Sequence, residues 1–172
     1  MRRTRPSLAT SPMKRVRFIA LDIGNLYGHS GDIRGFDLGV SVLDTTCIPP
    51  TAKPLWQATS SHHYRVGTRS RVVARPFAFG ESKTIKKFGK LRFLFQQLVS
   101  DDDIALVYHD AHLEHRVLAE LGVNLRGVDT IDTSRLSTYV LGFRADGSSP
   151  KLEDIVIAFG LETMPILLSG QW

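Results

Sequence analysis

A single carboxylate lies near the end of the first apolar run of the chain, in the segment RFIALDIGNLYG at residues 17–28. The run predicts a buried strand that ends in glycine and asparagine. Carboxylate oxygens are the ligands that Mg²⁺ and Mn²⁺ prefer, so Asp22 is a candidate metal ligand. Two residues later the strand offers Gly24, which has no side chain. The structural alternative is that Asp22 caps the turn that follows the strand.

A second group of ionisable residues lies in the segment YHDAHLEH at residues 108–115. His109 and Asp110 follow a short apolar strand, and Glu114 lies on the predicted helix after it. On that helix His112 and Glu114 point to different faces, whereas His112 and His115 have a spacing at which both could bind one metal ion. A solvated or nucleic-acid-facing surface is the simpler interpretation of these histidines.

The elements that position these residues follow from hydrophobic periodicity. Residues 25–35 and 45–54 are predicted to be loops. The chain predicts strands over 16–23, 36–43, 57–66, 104–108 and 127–132, and helices over 83–99, 111–121, 133–141 and 151–159.

Three consecutive strands favour an antiparallel arrangement, and later strands separated by helices favour parallel crossovers. The predicted fold class is therefore α/β, a mixed sheet with packed helices in the ribonuclease H-like order. Residues 16–172 are predicted to form one domain, and residues 1–15 a disordered basic tail. The tail is also compatible with a mitochondrial transit peptide.

Composition excludes several classes of protein. No apolar run approaches the roughly 18 residues that would span a bilayer, so no membrane partner is predicted. The single cysteine, Cys47, excludes an internal disulfide and fits a reducing compartment, which favours the nucleus or the cytoplasm.

The net charge of +5 is unevenly distributed. Between Arg65 and Arg92 there are nine basic residues and one acid, whereas the chain from Asp101 onward has twelve acids and five bases. This polarity is typical of a phosphate-backbone binder with a metal site, and a solvated helix face is the alternative. The predicted nucleic-acid contacts are Arg65, Arg69, Arg71, Arg75, Lys83, Lys86, Lys87 and Lys90.

Several short motifs resemble one family. The segments FIALDIG and FDLGVSVLDT are similar to the first two strands of DEDD-type 3′–5′ exonucleases. HHYRV, FAFGES and IDTSRLS resemble a fungal branch of ribonuclease H-like proteins, an exonuclease-like domain related to a yeast mRNA-export factor. The resemblance covers residues 16–162. It implies phosphodiester hydrolysis with two Mg²⁺ or Mn²⁺ ions about 4 Å apart, single-stranded RNA or DNA as substrate, and a possible protein partner.

The resemblance also implies roles for individual residues. Asp22 occupies the first acidic position, and Gly24 stands where the family has its second acid. His109 and Glu114 match a second motif, in which the acid is normally Asp. The implied catalytic residues are Asp22, Glu114 and His109, and the implied metal ligands are Asp22, Glu114 and Asp110.

The family's closing motif, a His or Tyr base with a last acid, has no counterpart after Gly160, where the chain reads LETMPILLSGQW. We therefore expect a domain truncated at its C-terminus, with Asp37 or Asp110 as the available substitute ligands. The predicted function is an exonuclease-like nucleic-acid-binding domain with impaired or no activity.

Three alternatives remain at this point. The first is a non-catalytic scaffold that binds RNA or a protein. The second is a nuclease similar to Holliday-junction resolvases, in which Asp-x-Gly is normal. An actin-like ATPase also tolerates Asp-x-Gly, but this chain lacks its second phosphate loop and its length.

Overall fold

The structure is a computed structural model that describes residues 15–29, 32–48, 58–67, 82–100 and 103–158. Its strands are β1 (Arg17–His29), β2 (Asp32–Asp44), β3 (Thr59–Gly67), β4 (Ser82–Ile85), β5 (Ile104–Tyr108) and β6 (Asp129–Asp132). The helices in these ranges are α1 (Phe88–Leu98), α2 (His112–Glu120), α3 (Thr133–Leu141) and α4 (Leu152–Ala158), with a short 3₁₀ helix at Thr45–Cys47.

The six strands form one mixed sheet in the order β4-β3-β2-β1-β5-β6. The first three strands pair antiparallel, and only residues 30–31 separate β1 from β2. β5 pairs parallel with β1, and β6 pairs parallel with β5, across connections that contain α1 and α2. The predicted mixed fold is confirmed, and β1 lies at its centre.

Two of the predicted elements were wrong in detail. The predicted helix over 83–99 begins only at Phe88, because Ser82–Ile85 is instead a parallel edge strand beside β3. Ile85 is buried, so it contributes to the core from a strand and was misassigned to the helical stripe.

The predicted loop over 25–35 is also mostly strand. β1 and β2 each continue for 13 residues through an irregularity near Asn25, whose φ is 49°. The glycines of this segment permit close strand approach, since a Cβ on Gly28 would lie 2.1 Å from the carbonyl oxygen of Asp32.

One face of the sheet carries the core. Side chains alternate along a strand, so β1 directs every second residue toward the helices and the intervening ones to the opposite face. The buried residues include Ile19, Leu21 and Ile23 of β1, Leu38 and Val40 of β2, Leu91 and Phe95 of α1, and Val117 and Leu118 of α2. Asp22 therefore lies on the face opposite this core.

Some predictions fall on residues outside the described ranges. These are the tail up to residue 14, the contacts Arg69, Arg71 and Arg75, and the segment from residue 159 onward. Arg15 is described, and its guanidinium lies 2.6 Å from the carboxylate of Asp44. Within the described part of the chain, no helix is both long and apolar enough to cross a membrane.

Candidate functional site

A polar row crosses four strands on the face opposite the core. Asp22 of β1 pairs with Gly39 of β2, Gly39 pairs with His63 of β3, and His63 pairs with Ser82 of β4. Directly paired residues share a face, so these side chains form one line across the sheet. His63 Nδ1 lies 2.7 Å from Ser82 Oγ. Gly39 leaves an open gap between Asp22 and His63, because it has no side chain.

On the other side of Asp22, His109 follows directly after β5. Its Nδ1 lies 3.1 Å from Thr133 Oγ1, and the Thr133 hydroxyl donates a hydrogen bond of 2.7 Å to the carbonyl of Tyr108. A hydroxyl has only one hydrogen, so Thr133 must accept from His109 Nδ1–H. We infer that neutral His109 carries its proton on Nδ1 and keeps Nε2 as an acceptor.

Glu114 lies in the first turn of α2 and is only 4% exposed. Its Oε1 accepts a hydrogen bond of 3.0 Å from the backbone N–H of Ile23, the residue after Asp22. This hydrogen bond joins β1, which carries Asp22, to α2, which carries Glu114.

The electrostatics of this region disfavour negative charge. Asp22 is exposed, yet the surrounding protein removes enough water from its carboxyl group to raise its pKa, against the opposing effects of His109 and His63. Burial also raises the pKa of Glu114, as does repulsion from Asp22 and Asp110, although hydrogen bonds from Ile23 and from its own backbone N–H act in the opposite direction. The carboxylates are therefore close enough to repel one another.

The neighbouring tyrosine responds to the same environment. Burial, and secondarily the charge of Glu114, raise the pKa of Tyr108 to about 12. Its ring contacts that of His115 edge to face, with centroids 5.2 Å apart. His115 thus packs beside the site, and His112 is exposed at the start of α2.

Asp110 marks the turn between β5 and α2. Its φ of 61° places it in the left-handed region, which aspartate tolerates better than most residues. Its backbone N–H donates to Asp132 Oδ1 at 3.2 Å, and the same oxygen accepts from Ser134 N–H at 3.0 Å at the start of α3. Burial opposes ionisation of Asp132, but these and further backbone N–H groups lower its pKa overall. Asp132 therefore joins the starts of two helices.

Gly24 stands where the resemblance implies a second acid. The surrounding structure has room for a side chain at this position. A Cβ built on Gly24 would meet no atom within 4 Å. Gly24 pairs with Asp37 of β2, so Asp37 lies on the same face as Asp22. Asn25 Nδ2 donates to Asp37 Oδ2 at 2.8 Å, which engages one oxygen of this predicted substitute ligand.

The arrangement of these acids and histidines decides whether they could hold a divalent metal ion. In the ranges that the structure describes, no three His, Cys, Asp or Glu side chains are grouped so that they could hold an ion. The ligand set implied by the sequence, Asp22, Glu114 and Asp110, does not form such a group. The described arrangement therefore does not fit the two-ion chemistry that the resemblance implies.

Five of the predicted basic contacts lie in the described part of the chain, at two places in the fold. Lys86, Lys87 and Lys90 are exposed around the start of α1. That helix has no side-chain cap and no acid in its first turn, so positive charge accumulates at its N-terminus. Lys83 is exposed on the edge strand β4 nearby, whereas Arg65 lies on the face of Asp22, paired with Asp37.

Four residues of this region were not singled out from sequence. Asp132 and Thr133 carry a detectable signal, since an aspartate directly before a helix is a typical N-cap. His63 lies on a predicted strand, but its pairing with Gly39 and Ser82 depends on the register of the sheet, which the sequence does not reveal. Ser82 was missed because its strand was not predicted.

No protein-family model matches the chain, and no curated protein matches it by sequence. Solved structures of exonuclease I do match its fold. The chain is similar to E. coli exonuclease I in complex with a 5cy-dT13 oligonucleotide, with a TM-score of 0.55 and 11% identity over 87% of this chain and 37% of that chain. It is also similar to exonuclease I in complex with the inhibitor BCBP, with a TM-score of 0.54 and 11% identity over 90% of this chain and 38% of that chain.

A product-bound structure of exonuclease I gives a TM-score of 0.54 at 11% identity, over 90% of this chain and 40% of that chain. The chain spans less than half of the length of each of these proteins. It has the ribonuclease H-like exonuclease fold, and at this identity the likeness concerns the fold alone.

Proposed function

We propose that the chain is an exonuclease-like domain that binds single-stranded nucleic acid and hydrolyses it poorly or not at all. The observation that carries this proposal is the convergence of Asp22, His109 and Glu114 in the exonuclease fold, with Gly24 at the second acidic position. The first part of this arrangement supports a nuclease ancestry. The second supports the loss of hydrolysis.

The binding part of the proposal rests on charge. Lys86, Lys87 and Lys90 surround a helix start that has no side-chain cap and no acid, and phosphate oxygens are suitable partners for their ammonium groups. Exonuclease I, which shares the fold, has been solved with dT13 bound. Assignment to the fungal branch stays a prediction from the sequence motifs.

The loss of hydrolysis rests on the acids. Gly24 supplies no oxygen, and the oxygens of Glu114 receive backbone N–H groups. Glu114 is also longer than the expected aspartate by one methylene, and a misplacement of about 1 Å can cost about 10²-fold in rate. A two-ion reaction needs all its oxygens together, so these changes compound.

A second candidate is binding of a protein partner. Large apolar side chains are exposed on and after α3, including Tyr139 at 89% and Phe143 at 69%. Exposed apolar patches mark interaction sites more often than chance would give. Binding of a protein that persists after nucleic-acid binding is abolished would favour this candidate.

The first prediction concerns the lysines of α1. Replacing Lys86, Lys87 and Lys90 together by Gln should weaken binding of labelled dT and U oligonucleotides in fluorescence anisotropy. Each phosphate contact releases counterions, so the slope of log K against log salt should become shallower by about 2. Binding that is flat between low and physiological salt would contradict the proposal.

The control for this experiment is Lys151→Gln with Arg126→Gln, which removes two exposed positive charges outside the basic segment, and it is compared with the double variant Lys86→Gln with Lys87→Gln as well as with the triple variant. We expect the control to leave the salt slope unchanged. All three variants should also be measured without residues 1–14, because the basic groups of that segment would otherwise mask the effect.

The second prediction concerns turnover. With Mg²⁺ or Mn²⁺, degradation of labelled single-stranded RNA and DNA should be at background for the native chain and equal to that of Asp22→Asn. The reason is the missing oxygen at Gly24 together with the engaged carboxylate of Glu114. Robust cleavage that disappears in Asp22→Asn would contradict the proposal.

The third prediction follows from the raised pKa of Asp22. A raised folded-state pKa means that stability is fully present below the ordinary value of 3.8 and is lost as pH rises through the folded-state value. Asp22→Asn, which mimics the protonated acid, should therefore melt at a higher temperature than the native chain at pH 7. The difference should vanish as the pH approaches 3.8.

Asp146→Asn is the control of opposite sign. Hydrogen bonds from the Ser148 hydroxyl and N–H lower the pKa of Asp146, so its removal should not stabilise the protein at pH 7. If Asp22→Asn melts at a lower temperature than the native chain at pH 7, the electrostatic interpretation of the site is wrong. An ionised side chain that lowers the stability of the fold, as Asp22 does at pH 7, is typical of functional positions.

A further inference from the structure

We infer that Glu114 is a positioning residue that orients Asp22 instead of binding a metal ion. Its carboxylate accepts the hydrogen bond from the Ile23 N–H of β1 where β5 no longer supplies an acceptor, and this bond between β1 and α2 is called the rung below. The role in orienting Asp22 rests on the proposed function, whereas the structural rung stands without it. Four observations carry the inference.

The first observation is the direction of the backbone N–H groups of β1. Arg17 N–H donates to the carbonyl of Asp103 at 2.8 Å, at the start of the ladder with β5. Successive N–H groups of a strand alternate sides, so those of Ile19, Leu21 and Ile23 also face β5.

The second observation is that β5 ends too early to serve the last of these donors. The pairing of the two strands runs from Arg17 with Ile104 to Ala20 with Val107, and β5 ends at Tyr108. The chain then leaves the ladder at Asp110, through its left-handed backbone. Ile23 is 4% exposed, so its N–H needs a partner other than a strand carbonyl.

The third observation is that Glu114 supplies this partner. Its Oε1 lies 3.0 Å from Ile23 N, across 91 residues of sequence. Its own backbone N–H also donates to the carboxylate, as acids in the first turn of a helix commonly allow. The carboxylate is thus held by two backbone donors.

The fourth observation is the length and burial of the side chain. Glutamate has one methylene more than aspartate, which lets the carboxylate reach from the first turn of α2 to β1. The residue is only 4% exposed, so its carboxylate oxygens lie among buried groups and not in solvent. Since Ile23 N–H belongs to the peptide that follows Asp22, fixing it fixes the backbone from which the Asp22 carboxylate projects.

The test compares three substitutions of Glu114. Glu114→Gln keeps an oxygen acceptor of the same reach and removes a charge that burial disfavours, so its melting temperature at pH 7 should be equal to or higher than that of the native chain. Glu114→Asp keeps the charge but loses the reach, and Glu114→Ala loses both. These two should melt lower by roughly 2 to 12 °C, because a buried N–H is left without a partner.

Oligonucleotide binding and a Mn²⁺ titration monitored by melting temperature accompany these measurements. Glu114→Gln should bind oligonucleotide as the native chain does, and the shift caused by Mn²⁺ should be the same in both. Glu153→Asp on α4 is the control for shortening an exposed glutamate and should change nothing.

The outcomes separate the two claims. If Glu114→Asp keeps the melting temperature and Glu114→Gln loses it, charge matters more than reach and the inference is overturned. A Mn²⁺ shift that disappears in Glu114→Gln would also overturn it. The native chain could fail to bind oligonucleotide while Glu114→Gln keeps the melting temperature that Glu114→Asp and Glu114→Ala lose. In that case the proposed function is wrong and the structural role of Glu114 is supported.

Discussion

The hydrogen bond from Ile23 N–H to Glu114 is the contact on which the rest of the site depends. β1 is the central strand, and beyond Ala20 it extends past the pairing with β5. Without a partner from α2, β1 would carry at Ile23 a buried donor with no acceptor. Glu114 closes this gap and brings the start of α2 against the strand that carries Asp22. The proximity of Asp22 to the segment after β5 follows from it.

A second constraint acts across the sheet. Asp22 lies in a row with Gly39, His63 and Ser82, and the missing side chain at Gly39 leaves the row open in the middle. Burial is the largest cause of the raised pKa of both Asp22 and Glu114, so their ionised forms cost folding stability, which is typical of functional positions. The row and its neighbours His109 and Glu114 are the part of the structure on which the proposed nuclease ancestry rests.

The sequence was sufficient for much of the fold, and the reason is periodicity. The apolar runs before Asp22 and before His109 each predicted a strand, and the helical stripe before Val99 predicted α1. The same reasoning failed at Ser82–Ile85, where four residues are too few for a strand pattern and their pairing with β3 decides the structure. It also failed near Asn25, because the glycines there serve strand approach instead of a turn.

For the candidate site, the residue types were predictable but their partners were not. The spacing of His109 and Glu114 was visible in the chain, whereas the acceptor role of Glu114 toward Ile23 depends on where β5 ends. Likewise, the face on which Asp37 lies could not be derived until the register of β2 was known. Asp132 and Thr133 form hydrogen bonds with Asp110 and His109, which lie more than 20 residues away in the sequence. Such partners can be identified only from the fold.

The most direct measurement of the central claim is native-state hydrogen exchange of the Ile23 amide in the unaltered chain, followed by NMR. If Glu114 completes the ladder, this amide should exchange as slowly as that of Ile19, which faces the same side of β1 inside the region paired with β5. Exchange at the rate of an unprotected surface amide would contradict the account, because it would mean that β1 is not held at the position from which Asp22 projects.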